Sequence, residues 1–314
     1  MAAPSFAVVI PAYEAAATIG EAIDSLQAQT VPPAEVIVCD DGSSDDLEGA
    51  LAPHRDAVTL IKGEHRGVAA ARNELLRVAR ADFVVPLDAD DVYAPTRLQR
   101  LGELAAARPE LDILSTDAVF LSEGRPAGRF NEKTPFAFEN QGEAILDRCF
   151  VICPAMRHQR LLEIGGYDER LRTAEDWDVC IRLILSGSHA GLVDEPLLEY
   201  RLGRRSLTAS RVRTLEERVY MLEKVLTTPE LEPSLHSAAA RAVSHHRARA
   251  LEQAAREAVA AGSPAARQRL LDVARSGDVG LRARVGAAIG SLAPKRAGRL
   301  VEATLSGSTA RPDA

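Results

Sequence analysis

The chain has 314 residues, 46% of them apolar, which suits one large globular domain or two modest ones. No apolar run approaches the ~18 residues needed to cross a bilayer, so no membrane-spanning helix is expected. The net charge of −7 is unevenly spread: residues 236–314 hold 13 basic and 6 acidic side chains, and the acidic remainder argues against general nucleic-acid binding.

Four cysteines (Cys39, Cys149, Cys153, Cys180) fit free thiols in a reducing compartment better than a disulfide framework. Cys149, Cys153 and His158 do not have a zinc spacing. The start of the chain lacks the basic region of a signal peptide, so the expected location is cytoplasmic. The basic tail is either a solvated helix face or a contact for an anionic surface, which would make the protein peripheral at the inner face of the membrane.

In chain order, FAVVIPAY (6–13) predicts a strand, followed by a helix around Thr18 to Gln29. EVIVCDD (35–41) and VTLIKG (58–63) predict strands, and a helix is expected from Gly67 to Arg80. FVVPLDADD (83–91) is a strand running into carboxylates. Pro95 then starts a helix that Pro109 follows, and LDILSTDAVF (111–120) is a further strand. This alternation predicts an α/β fold with a mainly parallel sheet flanked by helices, whose ligand sits beyond the C-terminal strand ends. Residues 121–150, rich in Gly, Pro and Asn, predict a loop excursion over that edge. From residue 211 the composition turns to Ala, Leu, Arg and Glu. It predicts an all-helical extension over 211–304, broken near Pro229, Gly262-Ser263-Pro264, Ser276-Gly277 and Pro294, with a disordered tail at 305–314.

The most informative segment is FVVPLDADD. Side chains two apart on a strand point the same way, so Asp88 and Asp90 would emerge together where the strand leaves the core. Paired carboxylates repel unless a cation lies between them, and a hard divalent ion, Mg2+ or Mn2+, is the natural occupant. The alternative is a solvated acidic turn in which Asp91 caps the next helix. Asp40 and Asp41 also lie at a strand end, before a Gly-Ser turn that lets backbone approach a ligand. Arg72 begins an Ala-rich helix and either binds phosphate or pairs with an acidic neighbour. Glu175-Asp176-Trp177 opens another helix. Thr173 and Asp176 there have the spacing of a capping box, and Trp177 lies either against a sugar or in the core.

VVIPAYEAAATIGEAIDSLQAQ, EVIVCDDGSSDD, GVAAARNELL and FVVPLDADD follow one another as in the inverting nucleotide-sugar glycosyltransferases of family 2, which share the GT-A fold. The chain resembles that family over roughly residues 5–208. LLEIGGYDERL, TAEDWDVCIRLILSG and EPLLEYRLGRRSLT extend the likeness. The resemblance implies a glycosyltransferase domain over 1–210, with a nucleotide-sugar half (1–120) and an acceptor half (121–210). It implies a UDP- or dTDP-sugar donor lying against Pro11, Ala12, Tyr13 and Glu14, with Asp41 beside Asp40 as the base contact. Arg72, Asp88, Ala89 and Asp90 would face the donor. Asp90 would be the direct metal ligand, and Asp88 would contact the ribose or the metal's water shell. Asp176 would be the general base, with Glu175 and Trp177 near the hydroxyl acceptor. One departure stands out. A His common two residues after the closing Tyr-Arg is replaced by Gly203, so either the metal is bound more weakly or Arg204 or Arg205 clamps the diphosphate directly.

Two other classes remain. A sugar-1-phosphate nucleotidyltransferase would need a basic Gly-rich loop where PAYEAAATIG stands. A non-catalytic nucleotide-sugar-binding relative would have lost the base or the metal carboxylate, and both are present. A homodimer through the helical extension is a further expectation.

Overall fold

The computed structural model describes residues 3–202, 211–294 and 297–305, and the chain divides into two compact units, one up to residue 206 and one from 207 onward. In the first unit β1 (Phe6–Ala12), β2 (Glu35–Asp40), β3 (Thr59–Lys62) and β4 (Phe83–Pro86) form a parallel block in the order β3-β2-β1-β4. Helices α1 (Ile19–Gln27), α2 (Leu47–Leu51) and α3 (Val68–Val78) lie in the crossovers that parallel neighbours require. The apolar run of β1 is buried almost throughout, as a central strand covered on both faces must be. Helix α1 turns Ile19, Ala22, Ile23 and Leu26 inward at helical spacing. The small residues Ala69, Ala70 and Ala71 of α3 are buried where that helix packs on β1 and β2.

Past β4 the sheet becomes mixed. β8 (Ala155–Arg157) joins β4 antiparallel, β6 (Ile113–Ser122) pairs antiparallel with β8, and β9 (Ala190–Arg201) runs parallel to β6. The two-residue β5 (Val92–Tyr93) closes that end against β9. Helices α4 (Arg97–Ala107), α7 (His158–Glu163) and α8 (Glu175–Leu185) flank these strands. The expected loop over 121–150 is more ordered than its composition suggests. It holds β7 (Arg125–Arg129), paired with β6, and helices α5 (Phe130–Lys133) and α6 (Gln141–Asp147). Buried Asp117 secures it by accepting from Arg129 Nε (2.5 Å) and the Asn131 N–H (2.9 Å), a long-range tie that local periodicity does not reveal.

Register aligns the strand ends. Ala12 at the end of β1 faces Asp40 at the end of β2, and Asp40 faces Lys62 of β3. On the other side of β1, the Leu87 N–H beyond β4 donates to Val9 O at 3.0 Å. Tyr13, Asp41 and Asp88 therefore leave neighbouring strands at one edge.

The second unit is helical among its described residues: α9 (Arg211–Leu226), α10 (Pro233–Ala260), α11 (Ala266–Arg275), α12 (Leu281–Leu292) and α13 (Gly298–Leu305). The connections contain Pro229, Gly262-Ser263-Pro264, Ser276-Gly277 and Pro294. Its own core gathers small and branched residues, among them Ala255, Leu270, Val273, Ala287, Val301 and Leu305. Residues 306–314, most of the expected tail, lie outside the described residues, as do Gly203, Arg204 and Arg205.

Candidate active site

At the end of β2 the two aspartates take different tasks. Asp41 is buried; its N–H donates to Ala12 O (2.8 Å), and its Oδ1 and Oδ2 accept the N–H groups of Arg66 (2.8 Å) and Gly67 (2.7 Å). Gly67 has φ +98°, a conformation that other side chains rarely adopt, so glycine suits this entry to α3. Asp40 Oδ1 accepts the Ser43 N–H (2.8 Å) and so fixes the Asp-Asp-Gly-Ser turn. Glu14 accepts the N–H (2.7 Å) and hydroxyl (2.8 Å) of Ser44, so its carboxylate shapes the loop edge.

Tyr13 is exposed, and its ring lies 4.2 Å from the His65 ring, centroid to centroid. His65 has φ +53°, and its Nδ1 lies 3.1 Å from Asp41 O. The two rings form an aromatic platform beside Asp41. Sequence reasoning missed His65; its setting between two glycines in GEHRG, just after a strand, was the available signal.

The carboxylate segment is a turn, which corrects the strand-alternation argument. β4 ends at Pro86, and the Asp91 N–H folds back to Asp88 O at 3.0 Å. Ala89 is buried within this turn, Asp88 is half-buried and Asp90 exposed. Asp91 is buried; it caps no helix but accepts the Arg201 N–H through Oδ1 (2.8 Å), while its Oδ2 is buried without a hydrogen-bond partner. Arg201 in turn holds Glu21 of α1 with both Nη groups, at 2.8 and 2.5 Å.

Arg72 joins this turn to α8. Its side chain is buried, with Nη2 donating to Asp88 Oδ1 (3.0 Å) and Nη1 to Glu175 Oε1 (2.6 Å). The guanidinium also lies over the Tyr167 ring, 5.5 Å from its centroid. Of the two roles open to Arg72, pairing with acidic neighbours is the one seen. Asn73 extends the junction: its Oδ1 accepts the Tyr167 N–H (2.8 Å) and its Nδ2 donates to Tyr167 O (2.9 Å). Gly166, at φ +69°, lets Asn73 come close, since a Cβ there would lie 2.6 Å from Asn73 Oδ1.

At the start of α8 three neighbours diverge. Glu175 is buried against Arg72. Trp177 is also buried, its Nε1–H donating to Ile145 O (2.7 Å), which is the core position of the two open to it. Asp176 between them is exposed, with Oδ1 accepting the Trp177 N–H at 2.7 Å. Ala174, one residue after Thr173, occupies the N-cap position of this helix and supplies no side-chain cap. A first-turn carboxylate sits where the helix dipole favours negative charge.

Electrostatics mark the turn as short of positive charge. Surrounding protein and the Asp88 charge push the Asp90 carboxyl up, although its side chain reaches solvent. Burial and Asp88 push Asp91 up to about 9. Burial likewise raises Glu175 to about 7 against the pull of Arg72, whereas Arg72 is held charged by Glu175 and Asp88. The 2.6 Å contact with the Arg72 guanidinium keeps Glu175 ionised in this buried pair. Among the described residues, Asp88, Asp91 and Cys153 bring ligand atoms within 4.8 Å of one another. The orphaned buried oxygen of Asp91 and the Asp88 carboxylate offer oxygen donors that fit a divalent cation, whereas burial holds the Cys153 thiol protonated and Asp90 stands outside this cluster. Cys153 was not expected there.

Comparison with known proteins identifies the family and the fold. The model of the family "Glycosyl transferase family 2" matches residues 7–165, half of the chain, and the chain belongs to that family. The succinoglycan biosynthesis protein ExoU of Rhizobium meliloti is 29% identical over 259 residues, covering 76% of this chain and 74% of the relative. The structure of S. aureus TarS 1–349 in complex with UDP-GlcNAc superposes with TM-score 0.68 at 19% identity, covering 96% of this chain and 92% of that one. The chain spans 55% of a longer TarS structure. The mannosyltransferase PcManGT of Pyrobaculum calidifontis, in complex with GDP-Man and Mn2+, gives TM-score 0.60 at 22% identity, covering 98% and 86%. The fold is GT-A, and the protein is a glycosyltransferase.

Replacing Arg72 by Met is expected to cost about 3–5 kcal/mol of stability in urea unfolding, because Asp88 and Glu175 would be left without their partner. A variant as stable as the parent would remove Arg72 from its bridging role. Asp91 provides a pH test in metal-free buffer. Its carboxyl rises from 3.8 to about 9 on folding, so the folded state keeps a proton that the unfolded chain has lost. Stability therefore declines as pH climbs from about 4 to about 9. Asp91→Asn should flatten that decline in melting temperature, and an unchanged slope would show that Asp91 does not cause it.

Proposed function

We propose that the chain moves a sugar, with inversion, from a UDP- or dTDP-sugar to a hydroxyl on a glycan, lipid-linked or natural-product acceptor. The observation that carries this reading is the Arg72 bridge. It holds the carboxylate turn against the start of α8, so exposed Asp90 and exposed Asp176 stand on segments joined through one buried side chain. The nucleobase lies against Tyr13 and His65, with Pro11 and Ala12 beneath. Asp41 offers its remaining lone pairs to the imide N–H. Asp88 faces the ribose.

Asp90 and Asp88 are the residues that would hold Mn2+ or Mg2+, with buried Asp91 behind them. Such an ion, when bound, neutralises charge on the departing diphosphate. Asp176 takes the proton of the acceptor hydroxyl as its oxygen bonds to the anomeric carbon, on the face opposite the leaving nucleotide. The bond to the diphosphate oxygen breaks in the same displacement, which inverts the configuration. Glu175 and Trp177, buried on either side of Asp176 in the first turn of α8, act through the backbone by fixing where Asp176 stands. The ligands in the TarS and PcManGT structures, UDP-GlcNAc and GDP-Man with Mn2+, belong to those proteins and support the choice of nucleotides and ion for trial.

The first test is the melting temperature with UDP, dTDP, GDP, ADP and CMP, each with and without Mn2+. A nucleotide at a hundred times its Kd should add about 2.7 kcal/mol of stability. UDP or dTDP should stabilise selectively, and more so with Mn2+. Asp176→Asn should retain that shift while losing about 10²–10⁴-fold in turnover, the range a positioned base contributes. Silence toward every nucleotide would overturn the donor reading, and turnover like the parent's would remove Asp176 as base.

A further inference from the structure

Helix α12 of the second unit carries large apolar side chains on the wrong side for a core. Leu281 is 73% exposed, Val285 50%, Ile289 54% and Leu292 83%, and these are four of the largest apolar exposures among the described residues. At 100° per residue they fall within an arc of about 80°, so they form one continuous stripe. The inward face is built from small residues instead: Ala283, Gly286, Ala287, Gly290 and Ser291 are buried. Their size lets α13 approach closely, because a Cβ on Gly286 would overlap the Thr304 side chain. The core of this unit is thus completed by the small face, and the large residues face solvent.

Charge indicates what the stripe meets. From Val279 to Val301 the sequence holds five basic residues (Arg282, Arg284, Lys295, Arg296 and Arg299) and no acidic one. Arg282 and Arg284 flank the stripe, tied to the backbone oxygens of Ala303 (3.4 Å) and Ala274 (3.1 Å). An apolar stripe edged by arginines suits the interface of an anionic bilayer, where aliphatic side chains enter the acyl boundary and guanidinium groups remain among the headgroups. A second copy fits poorly, since a two-fold contact on this face would set the same basic segment against itself.

We infer that α12 is a peripheral membrane-docking surface for anionic lipid, a role distinct from the transfer site and independent of its reading. The test is sedimentation of the full chain with vesicles of phosphatidylglycerol and phosphatidylcholine at about 3:7, against vesicles of phosphatidylcholine alone. The parent should bind only the anionic vesicles, less so in high salt. Val285→Glu/Ile289→Glu should weaken binding at least about tenfold, because it places charge in the inserted stripe. Arg282→Gln/Arg284→Gln should weaken it about 30-fold, at roughly one kcal/mol per basic residue. Circular dichroism checks that both variants remain folded. Failure of the parent to bind anionic vesicles, or equal binding by the glutamate variant, would overturn the proposal. So would a parent dimer in solution that the glutamate variant splits, since the face would then be a contact between copies.

Discussion

The first unit depends on a buried guanidinium. Arg72 lies between carboxylates 16 and 103 residues away in sequence, and neither it nor the buried Glu175 would tolerate burial alone. The planar fork matters, because its two Nη groups reach Asp88 and Glu175 in different directions while its face rests on Tyr167. A lysine would bring one point charge to a place that needs two directed donors. Asn73 carries the same junction into the backbone of the Gly-Gly-Tyr segment. The Ala-Arg-Asn stretch is therefore a fastener between the two halves of the unit.

Around that fastener, neighbouring carboxylates do unlike work. Asp88 balances Arg72, Asp91 receives a backbone N–H from the last residue of β9, and Asp90 is left facing outward. The Glu175-Asp176-Trp177 triplet divides in the same manner, with two buried members holding the exposed one in place. In both segments the side chain available for chemistry is flanked by residues committed to structure, so its backbone is fixed before any ligand arrives.

This division also sets what could be read from sequence. The helix–strand alternation and the strand-end aspartates were legible because they follow local periodicity. Which face Glu175 and Trp177 present was not, because it depends on Arg72 and on Ile145 O, partners remote in sequence. The antiparallel pairs of β4 with β8 and of β6 with β8 rest on a three-residue strand, too short to carry a pattern. His65 escaped notice, and Cys153 was not placed beside Asp88 and Asp91, for a related reason: each lies in an irregular segment, and both have positive φ. The turn at 88–91 misled because an apolar run followed by polar residues does not say where pairing stops.

The Asp91–Arg201 contact has a consequence for the order in which the chain folds. Its partners are 110 residues apart, and Arg201 also reaches back 180 residues to Glu21. Loops of that length close slowly, because their entropy is lost before the contact repays it. During synthesis Asp91 would emerge long before the N–H that satisfies it, and Arg72 long before Glu175. The parallel block β3-β2-β1-β4 can collapse early on its own apolar strands, but its carboxylate edge must wait for the end of β9. A nascent chain halted near residue 165 would carry the segment that identifies the family and lack the groups that complete the edge.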